Sequence, residues 1–129
     1  MEDAVIYHVW FATKRRKWLL QGEGKDAVEE QLRAVAMEKR SDLLECTAMV
    51  DHVHLLVRTS PEHLSEAMRI LKGGCSFRIF RRFPELKLDA GTAGFWQTRY
   101  AAKIIAPRTV TAVAEYIKTQ DKRLEKYVR

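Results

Sequence analysis

Short runs of β-branched and aromatic residues alternate along this chain with stretches of helical periodicity, and their order is what most narrows the fold. Val5 to Ala12, Leu44 to Val50, His52 to Thr59 and Trp96 to Ile105 read as strands. Asp26 to Arg40 reads as a helix, because Val28, Leu32, Val35 and Ala36 recur at near-helical spacing. Pro61 marks the start of a second helix striped by Leu64, Met68 and Leu71. Gly73-Gly74 is expected to interrupt or bend it, and Phe77, Phe80 and Phe83 resume the helical spacing up to Pro84. After Pro107 a last helix is expected from about Thr109 to Lys126. The order βαββαβα, with no all-parallel run, predicts a ferredoxin-like (RRM-like) α+β fold, a four-stranded antiparallel sheet with helices packed on one face.

A chain of 129 residues with three prolines, six glycines and no repeat or low-complexity segment suits one domain, 1–129. Its 47% hydrophobic and 31% charged residues exclude a disordered tail. Cys46 and Cys75 form no CxxC pair, and Met1-Glu2-Asp3 lacks the basic start and apolar run of a secretory signal. Two reduced core thiols in a cytoplasmic protein are therefore expected. No apolar run approaches the ~18 residues that span a bilayer, which excludes membrane insertion. Lys and Arg outnumber Asp and Glu by 23 to 17, for a net charge of +6. The resulting pI near 9.5 favours a polyanionic partner, nucleic acid or an anionic membrane surface.

The triplet His52-Val53-His54 carries the first chemistry. A strand sends alternate side chains to opposite faces, so Val53, Leu55 and Val57 can enter the core while His52 and His54 project together, their Cα atoms ~6.7 Å apart. Both imidazoles can then reach one cation. An HxH on a strand also describes a solvated surface pair, so a third ligand has to come from elsewhere. On the last helix, Tyr116 and Gln120 stand at i and i+4 on one face, beside an apolar stripe of Val113, Ile117 and Leu124 that would anchor the helix to the sheet. A tyrosine at the border of an amphipathic helix is equally at home packing its ring and wetting its hydroxyl. Taken together, the residues suggest a cation held by His52, His54 and the Gln120 amide, polarising a phosphodiester while Tyr116 attacks phosphorus. A phenol of pKa ~10 is only about one-thousandth ionised at neutral pH, so a nearby cation is needed to offset developing charge. Mixed N and O ligation suits Mg²⁺ or Mn²⁺, with Zn²⁺ also compatible with two histidines.

The remaining cations read as a nucleic-acid surface. Arg69, Lys72, Arg78, Arg81, Arg82 and Lys87 accompany Phe77, Phe80 and Phe83, with Glu85 the one nearby acid in that stretch. The helical spacing of the phenylalanines also fits the core. Lys14-Arg15-Arg16-Lys17 forms a second basic cluster, in the loop that ends the first strand. Trp96 and Tyr100 are candidates for base contact, although a tryptophan opening a strand serves as well to seal a core.

Five ordered segments resemble the small single-tyrosine HUH transposases, which move insertion sequences as single-stranded DNA. Tyr7-His8-Val9-Trp10-Phe11-Ala12-Thr13-Lys14 resembles the family's opening strand and Met49-Val50-Asp51-His52-Val53-His54-Leu55-Leu56-Val57 its HUH strand. Leu71-Lys72-Gly73-Gly74-Cys75-Ser76 is similar to its helix-interrupting segment, Phe95-Trp96-Gln97 to the strand before the last helix, and Glu115-Tyr116-Ile117-Lys118-Thr119-Gln120 to the nucleophile helix. The resemblance implies that Tyr116 forms a 5′-phosphotyrosine and releases a 3′-hydroxyl, with His52, His54 and Gln120 as metal ligands. It also implies single-stranded DNA with hairpin ends as substrate, and a homodimer, joined edge to edge, whose active sites are shared between subunits. Lys14, Arg15, Arg16, Lys72, Arg78, Arg81 and Arg82 would then contact DNA.

Two positions depart from the family pattern. Val50 stands where proline often precedes Asp-His, and Arg99-Tyr100-Ala101 replaces a commoner small residue, tyrosine and aromatic. The chain ends nine residues after Gln120, a brevity that favours the insertion-sequence branch over REP-associated relatives. The competing readings are a non-catalytic nucleic-acid-binding module and a domesticated REP-associated tyrosine transposase. RNA-recognition domains stack bases on a similar sheet, but this sequence places His52 and His54 there and lacks a Gly-aromatic RNP-like run.

Overall fold

The computed structural model describes residues 4–16, 20, 22–85 and 94–119. They form strands β1 (Val5–Ala12), β2 (Asp42–Ala48), β3 (His52–Thr59) and β4 (Ala101–Ile105), and helices α1 (Glu23–Glu38), α2 (Leu64–Arg82) and α3 (Val110–Lys118). The sheet is antiparallel with order β2-β3-β1-β4, the predicted ferredoxin-like arrangement.

Alternation along the strands, shifted once in β2 between Leu43 and Glu45, divides the sheet into two faces. Tyr7, Val9 and Phe11 of β1, Val53, Leu55 and Val57 of β3, and Cys46 and Ala48 of β2 are buried in one core with α1 and α2. From α1 come Ala27, Val28, Leu32, Val35 and Ala36, and from α2 Met68, Leu71, Cys75 and Ile79. Both cysteines are free and buried there. Burial pushes the Cys46 thiol up to about 12 and raises Cys75 as well, so both act as small hydrophobes.

Packing on one face holds for α1 and α2, whereas α3 lies on the other. Its Ile117 is fully buried against Leu56 and Ile105, with Ile6, Leu44, Val110, Val113 and Ala114 around them. The cause is visible in Leu55-Leu56-Val57, an unbroken apolar run that gives β3 something to bury on both sides. Val113 and Ile117 thus anchor α3 as expected, while Leu124 lies outside the described residues.

Two further expectations are corrected. Gly73-Gly74 does not interrupt α2, which runs unbroken from Leu64 to Arg82. Gly74 instead lets the helices approach, since a Cβ there would stand 2.8 Å from Val35 Cγ1 and 3.0 Å from Cγ2. The strand expected from Trp96 to Ile105 is split into a single bridge between Trp96 and Thr13 and the strand β4. Between them Gln97 N–H still donates to the Ala12 carbonyl, while Lys72 Nζ donates to the carbonyl oxygens of Gln97 at 2.5 Å and Arg99 at 3.4 Å.

The Val35 branch is stiff in a helix, so it cannot turn away from a new methyl group. Gly74→Ala is expected to lower stability by about 1–2 kcal/mol, the overpacking loss exceeding the gain in helix propensity. In a Val35→Ala background the same change should be neutral or stabilising by chemical denaturation. An equal loss in both backgrounds would contradict the packing account.

Candidate active site

The pairing of β1 with β3 builds the site from residues distant in sequence. Trp10 lies opposite His54 and Ala12 opposite His52, so His8, Trp10, His52 and His54 share the sheet face that carries α3. The His52 and His54 rings stand 5.0 Å apart, nearly perpendicular. His52 Nδ1 is 2.7 Å from Asp51 Oδ1, and His54 Nδ1 is 3.0 Å from His8 Nε2. Each candidate ligand is thus oriented through Nδ1, which leaves Nε2 of both rings for a cation. This is the arrangement in which a second hydrogen-bonding partner fixes the tautomer of a coordinating histidine. When His54 presents its Nε2 lone pair, Nδ1 carries the proton and donates it to His8.

Burial, followed by the neighbouring His52 and His8 rings, lowers His54 to about 4. Burial and the Lys103 ammonium lower His8 as well, which favours the neutral ring able to accept from His54. A lowered pKa in the folded state means that the unfolded chain takes up the proton first. The His54 contribution is therefore fully present above pH 6.5 and is lost as pH falls toward 4. Thermal melts should show a smaller loss of stability between pH 6.5 and 4.5 in His54→Asn than in the wild type. Identical pH slopes would count against a buried neutral His54.

Tyr116 reaches the same face from α3. Pro107–Thr109 forms a 3₁₀ turn that leads into the helix, and burial of Ile117 leaves the adjacent Tyr116 facing the sheet's polar side, 39% exposed. Its ring centroid is 6.4 Å from that of His8. His8, His54, Trp10, Lys103 and Tyr116 line one cleft of about 510 Å³. A smaller cleft of about 300 Å³ adjoins it, lined by His52, Trp10, Gln97, Arg99 and Tyr100. Gln120, the expected third ligand, lies outside the described residues. Among those described, no group of three or more His, Cys, Asp or Glu forms a metal cage.

The family model described as "Transposase IS200 like" matches residues 2–120. The chain belongs to the IS200-like transposase family. The transposase is 29% identical over 115 residues to the ISDra2 transposase TnpA of Deinococcus radiodurans, covering 88% of this chain and 82% of that one. It is 32% identical over 115 residues to the transposase for insertion sequence element IS200 of Salmonella typhimurium, covering 88% and 75%. A crystal structure of a Deinococcus radiodurans transposase superposes with a TM-score of 0.72 at 30% identity, over 93% of both chains. A REP-associated tyrosine transposase bound to a REP hairpin shares the fold with a TM-score of 0.63 at 15% identity, over 95% of this chain and 69% of that one.

The candidate DNA contacts of the transposase fall into two groups. Lys14–Arg16 forms a short kinked turn after β1, with Arg15 in the left-handed region at φ 59°. Thr13 N–H donates to the Asp51 carbonyl and Lys14 N–H to that of Phe95, so this basic turn sits at the His52 end of the sheet. Lys72, Arg78, Arg81 and Arg82 instead belong to α2, on the layer opposite the histidines. Lys72 is turned into backbone carbonyls. Arg78 pairs with Glu38 and Arg82 with Glu30, so carboxylates of α1, placed by its helical register, offset charges that α2 alone leaves uncompensated. Arg81 lies over the exposed Phe77 ring. Phe80 packs edge-on against Phe95 in the core, Phe83 is half-buried, and Lys87 lies outside the described residues. Of the two expected base contacts, Trp96 is buried edge-on to Phe11 and Phe95, and Tyr100 is half-buried with its hydroxyl 3.3 Å from Ser65 Oγ.

His8, Trp10 and Lys103 were not singled out by sequence reasoning. The alternation of Tyr7, Val9 and Phe11 could have placed His8 and Trp10 on the polar face. Only strand pairing brings them to His54. Among the described residues no helix is long and apolar enough to cross a membrane.

Proposed function

We propose that this transposase cleaves and rejoins single-stranded DNA at hairpin-marked element ends through a covalent tyrosine intermediate, with one catalytic domain spanning 1–129. The observation that carries the reading is the cleft lined by both Tyr116 and His54, with His54 and the neighbouring His52 each held through Nδ1. Tyr116 Oη attacks phosphorus, losing its proton as the P–O bond forms. The P–O3′ bond breaks and the 3′ oxygen leaves as a hydroxyl after taking up a proton. The chain is then joined to the 5′ phosphate. Attack by another 3′-hydroxyl on that phosphotyrosine reseals the DNA and frees Tyr116. His52 and His54, with Gln120, would hold Mg²⁺ or Mn²⁺, which when bound supplies charge neutralisation at the phosphate. Lys103 adds a fixed positive charge in the same cleft.

Lys14, Arg15 and Arg16, in the turn at the His52 end of the sheet, would guide the strand toward the site. On the opposite layer Arg81 would offer a further phosphate contact, whereas Lys72 is held by the Gln97 and Arg99 carbonyls and Arg78 and Arg82 are paired with Glu38 and Glu30, so those three would have to exchange partners to bind phosphate. Identity of 32% to IS200 transposases supports the insertion-sequence branch. A homodimer is expected, with β2 and β4 as the two edge strands of the sheet. One chain already brings Tyr116 beside His8, so sharing of sites between subunits takes the form of an exchange of α3.

Incubation with single-stranded and duplex element ends, with Mg²⁺ or with EDTA, tests the proposal. A denaturation-resistant protein–DNA adduct should form on single strands alone, and only with the cation. A non-catalytic nucleic-acid-binding module would bind these DNAs and yield no adduct.

A further inference from the structure

Trp10 occupies an unusual place for a large apolar side chain. It lies on β1, an interior strand, paired with His54 on one side and with Ala101 on the other, and it is 38% exposed. The helix α3 covers Leu56 and Ile105, the register partners of His8 and Ile6 on that face, and leaves Trp10 open two or more residues further along. Along the strand the indole meets the His8 ring at 5.0 Å and a tilt of 52°, and toward β3 the His54 ring at 6.5 Å and 36°. Toward β4 its register partner is the small Ala101. The ring is also the wall common to both clefts, the one containing Tyr116 and the one containing His52. The second cleft is also lined by Gln97, Arg99 and Tyr100.

We propose that Trp10 is a stacking platform for one unpaired nucleobase next to the phosphate that Tyr116 attacks, the base lying in the cleft beside His52. This rests on the strand-transfer reading and adds a subsite to it. A flat π surface takes any base, whereas Gln97 offers both a donor and an acceptor to a base edge, and Arg99 and Lys103 flank the site with positive charge for the adjoining phosphates. An apolar peptide would leave these charged and amide groups uncompensated. A base in a duplex is stacked on its neighbours and unavailable, so the platform itself favours single strands.

The test measures binding of single-stranded DNA in EDTA, with an abasic nucleotide placed in turn at each position around the cleaved phosphate. Wild type, Trp10→Phe, Trp10→Leu and Trp10→Ala are compared. Loss of the ring should weaken binding about 5- to 100-fold, least in Trp10→Phe. The wild type should lose a similar factor at one abasic position next to the phosphate, and Trp10→Ala and Trp10→Leu should lose nothing further there. Trp10→Leu keeps an apolar side chain on the strand, so its result stands even if Trp10→Ala folds poorly. Binding of Trp10→Leu within twofold of wild type, or a full abasic penalty retained at every position, overturns the proposal. A wild-type adduct of normal yield without any Trp10 dependence overturns the platform alone. A Trp10-dependent abasic penalty in a protein that forms no adduct upholds the platform and overturns the strand-transfer reading.

Discussion

Replacing Tyr116 by phenylalanine is expected to reduce covalent adduct formation and strand cleavage by more than about a thousandfold, while single-stranded DNA binding changes little. The substitution keeps the ring beside His8 and removes the one atom proposed to attack phosphorus. The helix should stay in place, because Ile117, Val110 and Val113 hold α3 to Leu56 and Ile105. Denaturing gels of labelled DNA measure the adduct, and a binding assay on the same preparation separates lost chemistry from lost fold. An adduct of normal yield in Tyr116→Phe would remove Tyr116 from the mechanism.

The second large effect is expected at His54. His54→Ala should lower cleavage by more than about a hundredfold, and added Mg²⁺ or Mn²⁺ should not restore it, because a proposed ligand is gone. His8→Ala leaves His54 present and removes only the acceptor for its Nδ1 proton. Its apparent cation affinity should fall by about 10- to 100-fold and cleavage should recover as the cation is raised. The contrast separates holding a cation from orienting the residue that holds it. Titration of cleavage against Mn²⁺ for both variants measures it, and equal, unrescued losses would place His8 among the ligands.

Much of the architecture was legible because strand alternation is a local signal. Val5 to Ala12 and His52 to Thr59 coincide with β1 and β3, and the face bearing His52 and His54 followed directly from Val53, Leu55 and Val57. Less legible were features decided by what lies across from a residue. Gly73-Gly74 reads locally as a break, yet the proximity of Val35 makes Gly74 a helix contact. Trp96 to Ile105 reads as one strand, but Lys72 takes the carbonyls of its middle. The placement of α3 was signalled by Leu56, whose side chain falls among the polar positions of β3. The roles of His8 and Trp10 depend on the β1–β3 register, which no periodicity within β1 encodes. Gln120 was inferred from its spacing to Tyr116 and lies outside the described residues.

The contact between Gly74 and Val35 also constrains how the family can vary. Each position limits the size allowed at the other, so the pair should drift together: lineages that place alanine at 74 are expected to carry a smaller residue at 35. The glycine at 73, where an added Cβ meets nothing within 4 Å, is under no such steric tie and should vary independently. Of two adjacent, chemically identical residues, one is bound to a partner about forty positions away in the chain and the other is not.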